Sequence, residues 1–258
     1  MPSPAPTPAG FRDHFSRDSS SYARFRPRYP AALFGWLAAH APARRTAWDC
    51  ATGNGQAATM LAAHFARVIA TDASRLQLRA AEPAPRVHYA AAAGEASPLA
   101  AGRVDLITVA QALHWLDRPR FYREVSRVIV PGGVFAVWSY GLLRSAPAID
   151  AAIFRLYRDV LGGYWPPERS EVETGYRNIE IPIEEAPAPP FAIEAALTFP
   201  ELVGYIGTWS AVGRYVAARG EDPMVPFAAE LASLWGDPAA SRPVVWPLSV
   251  RAGLWIGA

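Results

Sequence analysis

The chain has 258 residues, 51% of them hydrophobic, and a formal net charge of +2. That length suits one α/β domain with an elaboration, and so small a charge excess gives no footprint for nucleic acid. All 25 basic residues are arginine, which excludes a Walker phosphate loop, a pyridoxal Schiff base and a lysine general base. The single cysteine, Cys50, excludes an internal disulfide and a multi-cysteine metal site. No apolar run approaches the roughly 18 residues of a membrane span.

The first ten residues carry Pro2, Pro4, Pro6 and Pro8 and lack a basic region followed by an apolar core. They are expected to be a disordered tail, with no signal peptide, on a cytoplasmic protein. Ser19 to Pro30 is polar, aromatic and broken by proline, with Arg24, Arg26 and Arg28 alternating with Phe25, Pro27 and Tyr29. Pro30 then opens a helical pattern that puts Leu33, Phe34, Leu37 and Ala41 on one face.

Next comes Trp48-Asp49-Cys50-Ala51-Thr52-Gly53-Asn54-Gly55-Gln56, between a short apolar run and the helical pattern Ala57 to Ala62. This reads as strand, glycine turn and helix. Glycine at 53 and 55 permits positive φ and lets a ligand approach the backbone. The helix that follows directs free N–H groups at whatever lies over the turn. Val68 to Thr71 is the next strand, ending in Asp72, where a carboxylate can accept hydrogen bonds from both ribose hydroxyls. Ala58 stands where a dinucleotide fingerprint would have its third glycine. Asp49 before the turn would repel a pyrophosphate and suit a cation, and S-adenosylmethionine (SAM) carries a sulfonium and an ammonium.

A helix capped by Ser74, a strand at Val87 to Ala90 and the tripeptide Gly94-Glu95-Ala96 follow. Val104 to Ala110 is an apolar, β-branched run suited to a central parallel strand. Gln111-Ala112-Leu113-His114-Trp115 leaves its carboxyl end, where open α/β sheets bind their ligands. Gln111 is placed to floor the cofactor. His114 and Trp115 would face an acceptor, with His114 either a base of ordinary pKa near 6.5 or a structural residue. Arg118 to Ile129 is an amphipathic helix, and Pro131-Gly132-Gly133 turns into a fifth strand, Val134 to Trp138. Trp138 and Tyr140 reach the same rim, where aromatic rings can box a sulfonium or a flat acceptor or simply pack.

In this order, Asp49 to Gln56, Ala70 to Ser74, Gln111 to Trp115 and Pro131 to Gly133 resemble class I SAM-dependent methyltransferases, closest to the type 11, trans-aconitate methyltransferase-like group acting on small molecules. The resemblance is good over residues 11 to 140 and loose beyond. It implies a Rossmann-like seven-stranded sheet, mostly parallel, with an antiparallel last strand and helices on both faces. It makes Asp49, Ala51, Thr52, Gly53, Gly55, Gln56, Asp72, Ala73 and Gln111 cofactor contacts. It places Gly94 and Glu95 beside the adenine, Glu95 being otherwise a helix-end charge. It makes residues 11–45 a lid in which Tyr22 and Arg24 touch the methionine end, unless Tyr22 and Tyr29 only pack the helix onto the sheet. The family has glycine where this chain has Ala51, and Ala51 is expected to keep a negative φ.

After residue 140 the patterns weaken. Residues 141–190 read as a helical insertion over the acceptor site, within a single domain spanning 11–258. Phe191 to Phe199 alternates like a strand, Leu202 to Ala218 and Pro226 to Trp235 are helical, and Val244 to Trp255 is the last strand, with Pro247 marking a bulge or edge. The expectation is methyl transfer from SAM to a small-molecule oxygen, carboxylate or hydroxyl, with S-adenosylhomocysteine as product. His114, Trp115, Trp138 and Tyr140 are the acceptor contacts, and no metal, nucleic acid or membrane is involved. Transfer to nitrogen or carbon, a silent SAM-binding module and a nicotinamide dehydrogenase stay as alternatives. Monomer and homodimer are both open.

Overall fold

A computed structural model describes residues 28–257. Its centre is an eight-stranded sheet: β1 (Thr46–Cys50), β2 (Arg67–Asp72), β3 (Val87–Ala91), β4 (Val104–Ala110), β5 (Ile129–Tyr140), β6 (Ile183–Glu185), β7 (Ala192–Leu197) and β8 (Arg242–Trp255). The order is β3-β2-β1-β4-β5-β8-β6, with β7 also paired to β8. Strands β1 to β5 are parallel to one another, and β8 is antiparallel to β5, β6 and β7. The antiparallel last strand is as expected. The sheet has one strand more than the seven read from the pattern. The addition, β6, is a three-residue piece of the charged stretch before residue 186, too short to show a period of two.

Strands β1 and β4 are buried along almost their whole length, as strands covered on both faces must be. Alternation sorts their side chains into two cores. Ala47, Leu106, Ala136 and Trp138 face helices α1 (Ala31–His40) and α2 (Gln56–Leu61). Trp48, Ile107, Val109, Phe135 and Val137 face Phe121 and Val125 of helix α4 (Arg118–Val128), which follows α3 (Arg75–Arg79). Pro131-Gly132-Gly133 is no free turn. It lies inside β5, where pairing to β4 skips from Val104–Ile129 to Leu106–Val134. The Pro-rich tail, and residues 11–27 of the expected lid with Tyr22 and Arg24, lie outside the described residues. The remainder is core: α1 buries Leu33, Phe34, Leu37 and Ala38 against the sheet.

Beyond β5 the chain builds a roof. Helix α5 (Pro147–Arg155) runs on as a π-turn to Val160, and α6 (Arg169–Glu173) follows. Between β7 and β8 stand α7 (Phe199–Gly207), α8 (Ser210–Arg219) and α9 (Met224–Trp235). The long helix expected over 202–218 is two, broken at Thr208-Trp209. Strand β8 changes partner at Pro247, from β7 before it to β5 after it. Proline has no N–H to lose from the ladder, so it suits the residue where pairing switches.

Candidate active site

The carboxyl ends of β1, β2, β4 and β5 meet at one rim. Past β1 the backbone takes a left-handed conformation at every second residue: Ala51 (φ 54°), Gly53 (φ 58°) and Gly55 (φ 86°). The expected negative φ at Ala51 is therefore overturned. The chain must leave β1 and turn at once, because the amide of Thr52 still donates to the Thr71 carbonyl at 2.9 Å. A left-handed alanine costs about 1–2 kcal/mol, and glycine gives back part of any gain through its own entropy. Ala51→Gly is expected to raise stability by about 0.5–1 kcal/mol, a gain of roughly 2 °C in melting temperature. A scanning calorimetry trace with an unchanged or lower midpoint would contradict the strain.

The turn leaves space for a ligand above Gly53, where an added Cβ would meet nothing nearer than Gln77 Oε1 at 3.9 Å. Gly55 is needed twice, for its φ and because a Cβ there would lie 2.2 Å from the Tyr89 hydroxyl. Asp72 locks the turn: one carboxylate oxygen accepts from the Gly53 amide at 2.8 Å and the other from the Ser74 amide at 2.7 Å. An ionised carboxylate has about four acceptor sites, enough to hold backbone amides and ribose hydroxyls together. Ala73 sits in the tight connection from Asp72 to α3, which Ser74 caps through the Gln77 amide.

Asp49 is 1% exposed. Its carboxylate accepts from the hydroxyls of Thr108, at 2.8 Å, and Thr52. Burial pushes its pKa up to about 6, against those two hydrogen bonds and with help from the nearby charge of Asp72. A buried carboxylate in that state gains from a cation placed beside it. Gly94 packs tightly, since a Cβ would lie 2.8 Å from Cys50 Sγ. The Glu95 carboxylate accepts from the amide of Asp117, the residue that caps α4.

At the end of β4, Gln111 also has positive φ (56°). Its amide donates to the Trp138 carbonyl at 2.9 Å and its side-chain Nε2 to the Tyr140 carbonyl at 3.0 Å. Gln111, His114, Trp115 and Tyr140 all line one pocket. Trp138 does not. It is fully buried, its ring edge-on to Tyr29 and Phe34, because alternation along β5 turns it into the α1 core. For His114 the sequence leaves both readings, base and structural residue, open. Burial, helped by the charge of Arg169, lowers its pKa to about 3, so the ring is neutral and a poor base. Its Nδ1 lies 2.8 Å from the hydroxyl of fully buried Tyr176.

The other wall comes from the roof: Trp165, Arg169 and Val172 from the stretch before β6, and Tyr205, Trp209 and Ser210 from α7, α8 and their junction. Sequence reasoning missed these. A wider exterior groove beside Gly175 and Pro189 holds none of the motif residues.

The methyltransferase-domain family matches residues 48–137, the stretch that holds the turn, Asp72 and Gln111. A protein of Dictyostelium discoideum named as a methyltransferase is 35% identical over 226 residues, covering 86% of each chain. This chain belongs to the class I SAM-dependent methyltransferases. The solved structure of a protein described as a type II methyltransferase from Anaeromyxobacter dehalogenans is 47% identical, with a TM-score of 0.84 over 89% of this chain and 98% of its own. A SAM-dependent methyltransferase of Saccharomyces cerevisiae is 30% identical over 132 residues, only 48% of this chain and 45% of its own. The cofactor of this methyltransferase is SAM, and its acceptors are small molecules. No helix among its described residues is long and apolar enough to cross a membrane.

Proposed function

We propose that this methyltransferase acts on an oxygen atom of its small-molecule acceptor, within one domain whose roof is formed by residues 141–190 and α7 to α9. SAM, when bound, supplies the methyl group. Gly53, Gly55 and Asp72, with Ala51, Thr52, Gln56 and Ala73 around them, hold the nucleoside. Gly94 and Glu95 flank its base. Asp49 provides the counter-charge and Gln111 the floor. The acceptor lies between Trp115 and Tyr140 on one side and Trp165 and Trp209 on the other. That enclosure aligns the reactants and excludes water, and alignment alone supplies on the order of 7–11 kcal/mol in favourable cases.

The observation that carries the choice of oxygen is the composition of the pocket wall. Among the described residues it includes no Asp, Glu or Cys, and its one histidine has a strongly lowered pKa. An ammonium, a carbon acid or an aliphatic alcohol must lose a proton to a base before it can be methylated, whereas carboxylates and acidic phenols ionise in water, and among the described residues the wall offers no strong base. The test is methyl transfer from methyl-labelled SAM to matched panels of acids, phenols, amines and active-methylene compounds, with RNA and bulk protein as controls. Labelled O-methyl products support the proposal. Label confined to amines, carbon acids, RNA or protein would defeat it.

A further inference from the structure

We infer that the acceptor enters as a carboxylate, held by Arg169 and by the Nε2–H of His114, with Tyr176 as the positioning residue that fixes the imidazole tautomer. This rests on the methyltransferase reading of the site and chooses between the two oxygen acceptors left above.

Arg169 is the charged side chain in the pocket wall. Its Nε donates to the Tyr157 hydroxyl at 2.9 Å, and its guanidinium stacks on Trp165, 4.9 Å from the ring centre. Both carboxylates of its own short helix are engaged elsewhere. Glu171 pairs with Arg118 at 2.7 Å, and Glu173 accepts from the Tyr157 hydroxyl. Among the described residues Arg169 forms no salt bridge. A guanidinium held by stacking, with its terminal N–H groups unmatched by a carboxylate, is a fork for an incoming one.

The second donor follows from hydrogen-bond accounting. The Tyr176 hydroxyl is fully buried and keeps its proton, since burial pushes its pKa far up. A buried hydroxyl must donate somewhere. Among the described residues its acceptor is Nδ1 of His114. The imidazole proton therefore sits on Nε2, and the ring faces the pocket as a donor. The backbone holding Tyr176 is itself fixed, because Arg251 donates to the carbonyls of Tyr176 and Ile179.

Two donors, one of them charged, and no base suit an acceptor that needs no deprotonation. One carboxylate oxygen forms the new O–CH3 bond while the S–CH3 bond breaks and its electron pair stays on sulfur. Sulfonium and carboxylate become thioether and ester, and no proton is released.

The test uses the full-length chain saturated with S-adenosylhomocysteine, read by tryptophan fluorescence, since Trp115, Trp165 and Trp209 line the pocket. Probes are benzoate and cinnamate against benzyl and cinnamyl alcohol. Each acid is expected to bind about tenfold to a hundredfold tighter than its alcohol, the size of a charged hydrogen bond. Arg169→Gln should abolish that preference, and Tyr176→Phe should reduce it, with S-adenosylhomocysteine affinity unchanged in both. Label from methyl-labelled SAM should enter an ester that alkali cleaves to methanol. Equal binding of acid and alcohol, binding of neither, or a preference that survives Arg169→Gln overturns the carboxylate assignment while leaving the methyltransferase site standing. Failure of S-adenosylhomocysteine itself to bind would remove the site reading and this inference with it.

Discussion

Asp72→Ala is expected to lower affinity for SAM by about 100-fold or more. The carboxylate does two things. It accepts from the amides of Gly53 and Ser74, holding the glycine turn to the end of β2. In the proposed site it also accepts from the ribose. Each charge-assisted bond contributes about 1.5–3 kcal/mol, so the loss of a ribose bond and of the turn's geometry together exceeds about 3 kcal/mol. Two amides would also be left facing a gap, so the unliganded melting temperature should fall. Asp72→Asn keeps the shape and one acceptor oxygen and loses the charge, so about a tenfold loss of affinity is expected. Calorimetric titration with SAM, with NAD as a control, measures all three proteins. Wild-type affinity in the alanine variant would place the ribose elsewhere.

The second large effect is at Asp49, where stability and binding should move in opposite directions. Its pKa is about 6 in the folded chain, against an ordinary value near 3.9 when unfolded. Below about pH 4 the group is protonated in both states, and its contribution to stability is at its most favourable. Between about pH 4 and 6 the unfolded chain loses the proton first, so stability falls as pH rises. The fall is about 1.4 kcal/mol per pH unit, on the order of 3 kcal/mol in all. Above pH 6 the buried carboxylate is ionised and the whole cost is present. Asp49→Asn removes it. The variant is expected to be more stable than the parent by on the order of 3 kcal/mol at pH 7.5, and to lose that advantage below pH 4. It should bind SAM more weakly, because the cation loses its counter-charge. In the parent, SAM affinity should rise as pH passes through 6. Paired denaturation curves across pH, with titrations at pH 5 and 7.5, check both halves. A variant less stable than the parent at pH 7.5 would mean that the Thr52 and Thr108 hydroxyls outweigh burial.

Both predictions concern positions that could be read from the sequence, and the reason is distance along the chain. A strand, a glycine turn and a helix form from contiguous residues, so Asp49, Gly53 and Gly55 announce themselves within eight positions. Asp72 follows at the end of the very next strand, and β1 to β5 are apolar runs bounded by turn residues. Parallel strands with helical crossovers admit few topologies, which made the sheet and its ligand rim predictable from those runs. What local pattern could not decide was anything set by partners far away. Ala51 is left-handed because Thr52 stays bonded to Thr71. Trp138 is core because α1 covers its face of β5. His114 is the proposed neutral donor because its Nδ1 meets the buried hydroxyl of Tyr176, 62 positions on. The acceptor wall is the extreme case: Trp165, Arg169, Tyr205 and Trp209 come from segments whose periodicity is weak, and they converge on Gln111 and Tyr140 only once β8 is threaded between β5 and β6. The sequence by itself determined the cofactor and the sheet, because both are written in short-range backbone geometry. The acceptor's surroundings were decided by tertiary structure alone, since burial, tautomer and charge pairing depend on which distant side chains close over the rim.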